Sequence, residues 1–255
     1  MIKFFRKIRQ KLLVENRFNK YLLYAIGEII LVVIGILIAL QINNWNENKK
    51  HRALELHYLK NLKVDLKMNI SQIDDYIKSR TKAINSANTI LEHFEGKPIA
   101  DYETFSANTI DIYTWRKFFQ VNNTFQELMN SGNLAIISND SIKDTFLNME
   151  TLYKVMKDQE EHFRFDSELL LYEPNYSQVD LNPVVKNYTY IVTNGAAGEK
   201  KELPTHQYDE MLKDLKQKNG FVMAVYEFSA MNRQLNEMKT MCKELIRLID
   251  KEIAK

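Results

Sequence analysis

One run of residues limits the chain more than any other feature. Residues 22–42 read LLYAIGEIILVVIGILIALQI, with Glu28 as the only full charge. At about 1.5 Å per helical residue, a run of about twenty spans roughly 30 Å, the thickness of a bilayer's hydrocarbon core. Tyr21 and Tyr24 stand at one end and Trp45 at the other, where interfacial aromatics belong. A buried core helix is a poor alternative, because the run is too long and its N-terminal flank too basic. A cleaved signal peptide would have a shorter apolar region, about 7–15 residues, followed by small residues. This run instead ends Gln41-Ile42-Asn43-Asn44-Trp45, with no Ala-x-Ala pattern. The expectation is an uncleaved transmembrane helix over 21–43, with Arg17, Lys20, Tyr21, Tyr24 and Trp45 as interface anchors.

Charge supports that placement. Residues 1–20 hold seven basic groups (Lys3, Arg6, Lys7, Arg9, Lys11, Arg17, Lys20) against Glu15, whereas the rest, Glu28 aside, holds 28 basic and 31 acidic groups. A nucleic-acid binder would carry its positive charge on the folded domain. The bilayer is therefore the expected partner, and nucleic acid is not. The C-terminal flank has four basic residues (Lys49, Lys50, Arg52, Lys60), fewer than the N-terminal flank, so the N-terminus is expected to stay in the cytoplasm. Within 1–20, Ile2, Phe5, Ile8 and Leu12 recur at helical spacing among the basic residues. They fit either a basic amphipathic helix on the anionic inner leaflet or a flexible basic tail that sets topology.

Glu28, Val32, Gly35 and Ala39, then Ile42, follow steps of four and three and share one helix face. Gly35-x-x-x-Ala39 is a small-x-x-x-small pair that allows close backbone approach. This face is the candidate contact with another copy of the chain or with a membrane protein partner. Glu28 either joins that contact or snorkels toward Lys20 or Arg17.

Residues 44–255 read as one mainly helical extramembrane domain, a bundle of long helices with coiled-coil-like spacing and a small β-hairpin. The chain has only 7 Gly and 4 Pro, and neither occurs between Gly35 and Gly96. Leu62, Leu66, Ile70, Ile73, Ile77, Ile84, Leu91 and Phe94 predict a helix over about 45–95, joined directly to the membrane helix or kinked at 43–46. Further helices are expected over 102–119, in a short piece capped at Thr124 and Glu127 and stopped by Ser131-Gly132, and from a capping box at Ser141 to about Tyr172, before Pro174. The third carries Ile142, Phe146, Met149, Tyr153, Met156 and Phe163 as its stripe, broken at Glu160. YTYIVT (188–193), Asn194-Gly195 and 200–203 suggest the hairpin. A short helix over 206–218 is followed by a last helix from about Gly220, with Phe228, Met231, Leu235, Met238, Cys242, Leu245 and Ile249 as its stripe. Cys242, the only cysteine, lies on that stripe and reads as a small buried hydrophobe.

MIKFFRKIRQKLL (1–13), YAIGEIILVVIGILIALQINNWNE (24–47) and TFQELMNSGNLAIISNDSIK (124–143) together resemble a family of uncharacterised single-pass membrane proteins, of unknown domain function, from flavobacteria and their Bacteroidetes relatives. The resemblance implies a bacterial inner membrane and a periplasmic C-terminal domain. It carries over no functional residues.

Chemistry is not visible in the sequence. The five histidines form no i+3 or i+4 pair and no HExxH, so no metal site is expected. NGAAGEK (194–200) lacks the order of a phosphate loop. Asp74-Asp75 and Glu160-Glu161 are sequence neighbours that point about 100° apart on a helix, and they read as solvated surface. Catalytic residues and cofactors are therefore expected to be absent. Two roles remain. One is a membrane-anchored envelope interaction protein, scaffold or accessory subunit, and not an enzyme. The other is a sensory or ligand-binding module that signals through a membrane partner.

Overall fold

The computed structural model describes residues 18–255 and divides into two units, Met1–His57 and Tyr58–Lys255. The basic segment 1–20 therefore lies mostly outside the described residues. Helix α1 (Phe18–Phe94) has no break at 43–46. It stops at Gly96 (φ 98°), where the Gly96 and Lys97 N–H groups donate to the His93 and Glu92 carbonyls.

In the first unit, no residue of the most apolar window of α1 is buried, and Ile29 is 64% exposed. A core helix of a water-soluble protein would be mostly covered. This helix is long and apolar enough to cross a membrane.

The second unit is built on three long helices: residues 58–94 of α1, α4 (Asp140–Ser167) and α8 (Leu215–Ile253). Ion pairs Lys63–Asp250 and Asp74–Lys239 set α8 antiparallel to α1, since one number rises as the other falls. Phe163 on Phe228 (4.8 Å) and Cys242 on Met149 (3.8 Å) do the same for α8 and α4. One core gathers Leu62, Leu66 and Ile73 of α1 with Ile142, Phe146 and Met149 of α4 and Leu235, Cys242 and Ile249 of α8. A second gathers Ala87 and Ile90 with Phe163, Phe221 and Phe228, roofed by α2 (Tyr102–Tyr113) and later short helices. The three stripes read from the sequence are thus the faces that pack.

Between the cores runs a polar layer. The α2 helix ends at Tyr113 and not near residue 119, and residues 116–121 cross the bundle without helical hydrogen bonds. Side chains from α1 and α4 satisfy that backbone instead. Asn69 donates to the Val121 carbonyl and accepts from its N–H, both at 2.7 Å. The Tyr76 hydroxyl donates to the Lys117 carbonyl at 2.8 Å, and Glu160 accepts from the Phe118 N–H at 2.8 Å. Glu160 also pairs with Arg80 and Lys157. The solvated-surface reading fails for this residue: Glu160 is 1% exposed, and the break it makes in the α4 stripe is where this layer passes.

Several caps differ from the expectation. Helix α3 (Asn123–Asn130) has no side-chain cap from Asn122, and Asp65 of α1 accepts from the Thr124 N–H at 3.0 Å. It stops at Ser131-Gly132 as predicted, with Gly132 at φ 71° and a 3-10 turn at Asn133–Ile136. Helix α4 is capped by Asn139, which accepts from the Ile142 N–H, and not by Ser141. Nor does the chain leave the helix before Pro174. A π turn, Glu168–Tyr172, carries it into α5 (Glu173–Gln178), the Glu173 N–H donating five residues back to the Glu168 carbonyl just before Pro174, which has no N–H to give.

No strand occurs among the described residues, and the hairpin is not there. YTYIVT forms the end of helix α6 (Leu181–Val192), started by Asp180, which accepts from the Asn182 N–H. The reversal at Asn194 (φ 51°) and Gly195 (φ 82°) is real, and the chain does return. It returns along a helix: Glu199 N–H donates to the Lys186 carbonyl, and Asn187 bonds both the N–H and the carbonyl of Lys201. Tertiary contacts and a good cap outweigh β propensity here. After α7 (Thr205–Met211), Asp214 caps α8 six residues before Gly220, which sits inside the helix.

Candidate functional site

The residues singled out on the apolar helix differ in their exposure. Glu28 is half-buried, and Val32 and Ala39 are exposed. A Cβ built on Gly35 would meet no atom within 4 Å. Trp45 is exposed, with the Lys49 ammonium 5.6 Å from its ring centroid. Lys20, Tyr21 and Tyr24 fall on α1, and Arg17 lies outside the described residues.

A second site was not read from the sequence at all. A cavity of about 290 Å³ opens between α2, the π turn, α5, α6 and α7. Its walls are mostly aliphatic and aromatic, with five tyrosines (Tyr113, Tyr172, Tyr176, Tyr188 and Tyr208) beside Thr109, Thr114 and Asn175. They come from five separate segments, so no local motif marks them. The available signal was the density of tyrosine over 172–208, the part that least resembled a helix.

The tyrosines are ordered by their own contacts. Tyr172 stacks on Tyr176 with centroids 6.0 Å apart and packs against Tyr113 at 5.5 Å. The Tyr172 hydroxyl donates to the Tyr113 carbonyl at 2.8 Å, and the Tyr208 hydroxyl donates to Ser106 Oγ at 2.9 Å. The Tyr113 hydroxyl is buried and has no hydrogen-bond partner among the described residues. An unmet buried donor costs about 1–3 kcal/mol, so this one is conspicuous in a well-packed wall. Burial pushes the Tyr172 and Tyr208 phenols up to about 12 and Tyr113 higher still. All three are neutral donors at physiological pH.

Cys242 lies against Met149, and burial pushes its thiol up to about 12, so it packs as a hydrophobe. No group of three or more His, Cys, Asp or Glu side chains stands ready for a metal ion among the described residues.

The chain belongs to a family of unknown function (DUF6090), which it matches over residues 28–169. The matched part takes in most of the apolar helix, α2, α3 and α4, and stops within the π turn. The cavity therefore has one wall, α2, inside the matched region, and its other walls beyond it. No curated protein and no solved structure matches the chain.

Proposed function

We propose that the chain is a single-pass protein of a bacterial inner membrane, with its N-terminus in the cytoplasm and its C-terminal domain in the periplasm. It acts there by contact, as an interaction protein or accessory subunit of the envelope, and not by catalysis. The observation that carries the reading is the bare apolar helix. An eighteen-residue window of high mean hydropathy, none of it buried among the described residues, has a stable place in lipid and a poor one in water. The seven-to-four basic bias sets the direction. The Glu28, Val32, Gly35 and Ala39 face supplies the lateral contact, with a second copy or with another membrane protein.

Two experiments test this. Alkaline phosphatase and a fluorescent protein are fused separately after Lys255; phosphatase activity without fluorescence is expected, and the reverse would overturn the orientation. Cross-linking of the full chain in membranes is then compared with Gly35→Ile. Loss of the cross-linked species is expected, and an unchanged pattern removes the contact face. The ligand-sensing role is the second reading, and the tyrosine-lined cavity is what favours it.

A further inference from the structure

We propose that the cavity between α2, α5, α6 and α7 binds an uncharged, mostly apolar molecule carrying a carboxamide or lactam group, which pairs with the side-chain amide of Asn175. The inference rests on the cavity and on no assumption about the membrane helix, so its failure would leave the membrane reading untouched.

Tyr172, Asn175, Tyr176 and Val179 all line the cavity. Their steps of three, one and three put them on one face of the helical run from the π turn through α5, so the Asn175 side chain projects to the same side as its neighbours. Asn175 is 7% exposed. Its backbone carbonyl accepts from the Val179 N–H at 3.0 Å, but neither atom of its side-chain amide makes a hydrogen bond among the described residues. Those two atoms are not sealed, whereas the Tyr113 hydroxyl is. The space they open on is the cavity that this face lines. The other polar groups of the wall are committed or wet. The Thr109 and Thr114 hydroxyls donate to the Ser106 and Ile110 carbonyls at 2.7 and 2.9 Å, and Tyr172 and Tyr208 have acceptors within the protein. Tyr176 is 67% exposed and Tyr188 half-buried, and both hydroxyls keep access to water.

The chemistry of that wall selects the ligand class. A carboxamide offers an acceptor oxygen beside donor hydrogens, and its match is a group that shows a donor beside an acceptor. A primary amide or a lactam does so without charge. No Asp, Glu, Lys, Arg or His lines the cavity, so a carboxylate or an ammonium would lose its water and find no counter-charge. The cavity, about 290 Å³, is about twice the ~150 Å³ of an apolar cavity that admits benzene, so a ring bearing an amide fits. Tyr172 and Tyr176 lie near parallel, at 13°, and present flat faces to such a ring. An amide left open in a mostly apolar wall discriminates against a ligand that cannot answer it.

The test uses the full chain in lipid nanodiscs, with fluorotyrosine incorporated and followed by fluorine NMR, and with empty nanodiscs as the blank. The Tyr172 resonance is assigned by its loss in Tyr172→Phe. Benzamide, acetophenone and benzoate are titrated in turn, so that ring and shape are held nearly constant while the donor and the charge are varied. Benzamide is expected to give saturable shifts at Tyr172, with about five- to tenfold tighter binding than acetophenone. Benzoate is expected to give none. In Asn175→Leu the preference for benzamide should vanish while helical circular dichroism stays unchanged, because the amide removed bonds nothing among the described residues. Absence of saturation with benzamide, equal binding of benzamide and acetophenone to the native chain, benzoate binding as well as benzamide, or a preference that survives Asn175→Leu would each overturn the proposal. Should Asn175→Leu lose helicity, the ranking of the three probes on the native chain still decides.

Discussion

Residues 25–42 and residues 58–94 belong to the same helix, yet they keep opposite company. In the first stretch nearly every side chain is apolar and exposed; in the second, apolar residues recur every three or four positions and those are the ones buried. Gly35 and Gly220 make the same contrast at single-atom scale. Gly35 has open space around it, whereas a Cβ on Gly220 would stand 2.6 Å from Leu171 Cδ2. Helix propensity does not distinguish the two stretches. Periodicity does, because a helix that is apolar all round needs an apolar solvent, and one with a stripe needs only a neighbour.

The largest expected effect is at the packed end. Phe163→Ala should cost about 3–5 kcal/mol in guanidinium unfolding of the full chain, because Phe163 is fully buried between Trp115 and Phe228. Leu37→Ala, by the same measurement, should stay within about 0.5 kcal/mol. If both mutations cost alike, the contrast between the stretches is false.

At the bare end, Leu37→Arg should cost about 2.5–3.5 kcal/mol of membrane insertion. It would appear as a larger fraction released by alkaline carbonate, with the helical signal of the domain retained. Equal retention of the variant in the membrane pellet would mean that the run does not lie at bilayer depth.

The glycine pair gives a smaller but cleaner comparison. Gly220→Ala improves helix propensity yet should destabilise by about 1–3 kcal/mol, since Leu171 must move from Cδ2 to Cγ. Gly35→Ala should leave domain stability unchanged. A stabilised Gly220→Ala would show that the seam between the π turn and α8 has slack.

The smallest effect concerns acid. Hydrogen bonds from Arg164 and Lys117 hold the exposed Glu161 carboxyl down at about 2, below its ordinary 4.5. A depressed carboxyl contributes stability above about 4.5 and loses it as pH falls toward 2. Glu161→Gln should therefore slightly flatten the stability curve between those values, with a small loss of stability at neutral pH and none near pH 2. A steeper curve in the variant would contradict the pairing.

Legibility in the sequence followed the same division. The long stripes were readable because each is a local, periodic signal: Leu62 to Leu66, Ile142 to Phe163 and Phe228 to Ile249 all turned out to face the cores. Glu160 was misjudged because its partners, Arg80 and the Phe118 N–H, are about eighty and forty residues away. YTYIVT was misjudged for a related reason. Its β-branched and aromatic residues favour a strand locally, and only Asp180 as a cap and Asn187 as a brace for Lys201 show why a helix prevails. The cavity was invisible because its tyrosines meet only after five segments have been placed.

The π turn at Glu168–Tyr172 has a consequence for how such a cavity can change. It acts as one surplus residue in an otherwise regular helix, and each residue advances the helix by about 100°. Delete one residue there, and everything from Tyr172 to Val179 would rotate out of phase, while Asp140–Ser167 would keep its seat in the bundle. Tyr172, Asn175 and Tyr176 would leave the wall together. A single codon gained or lost can therefore re-cut the pocket without disturbing the frame, so closely related chains could share the bundle and differ in what they hold.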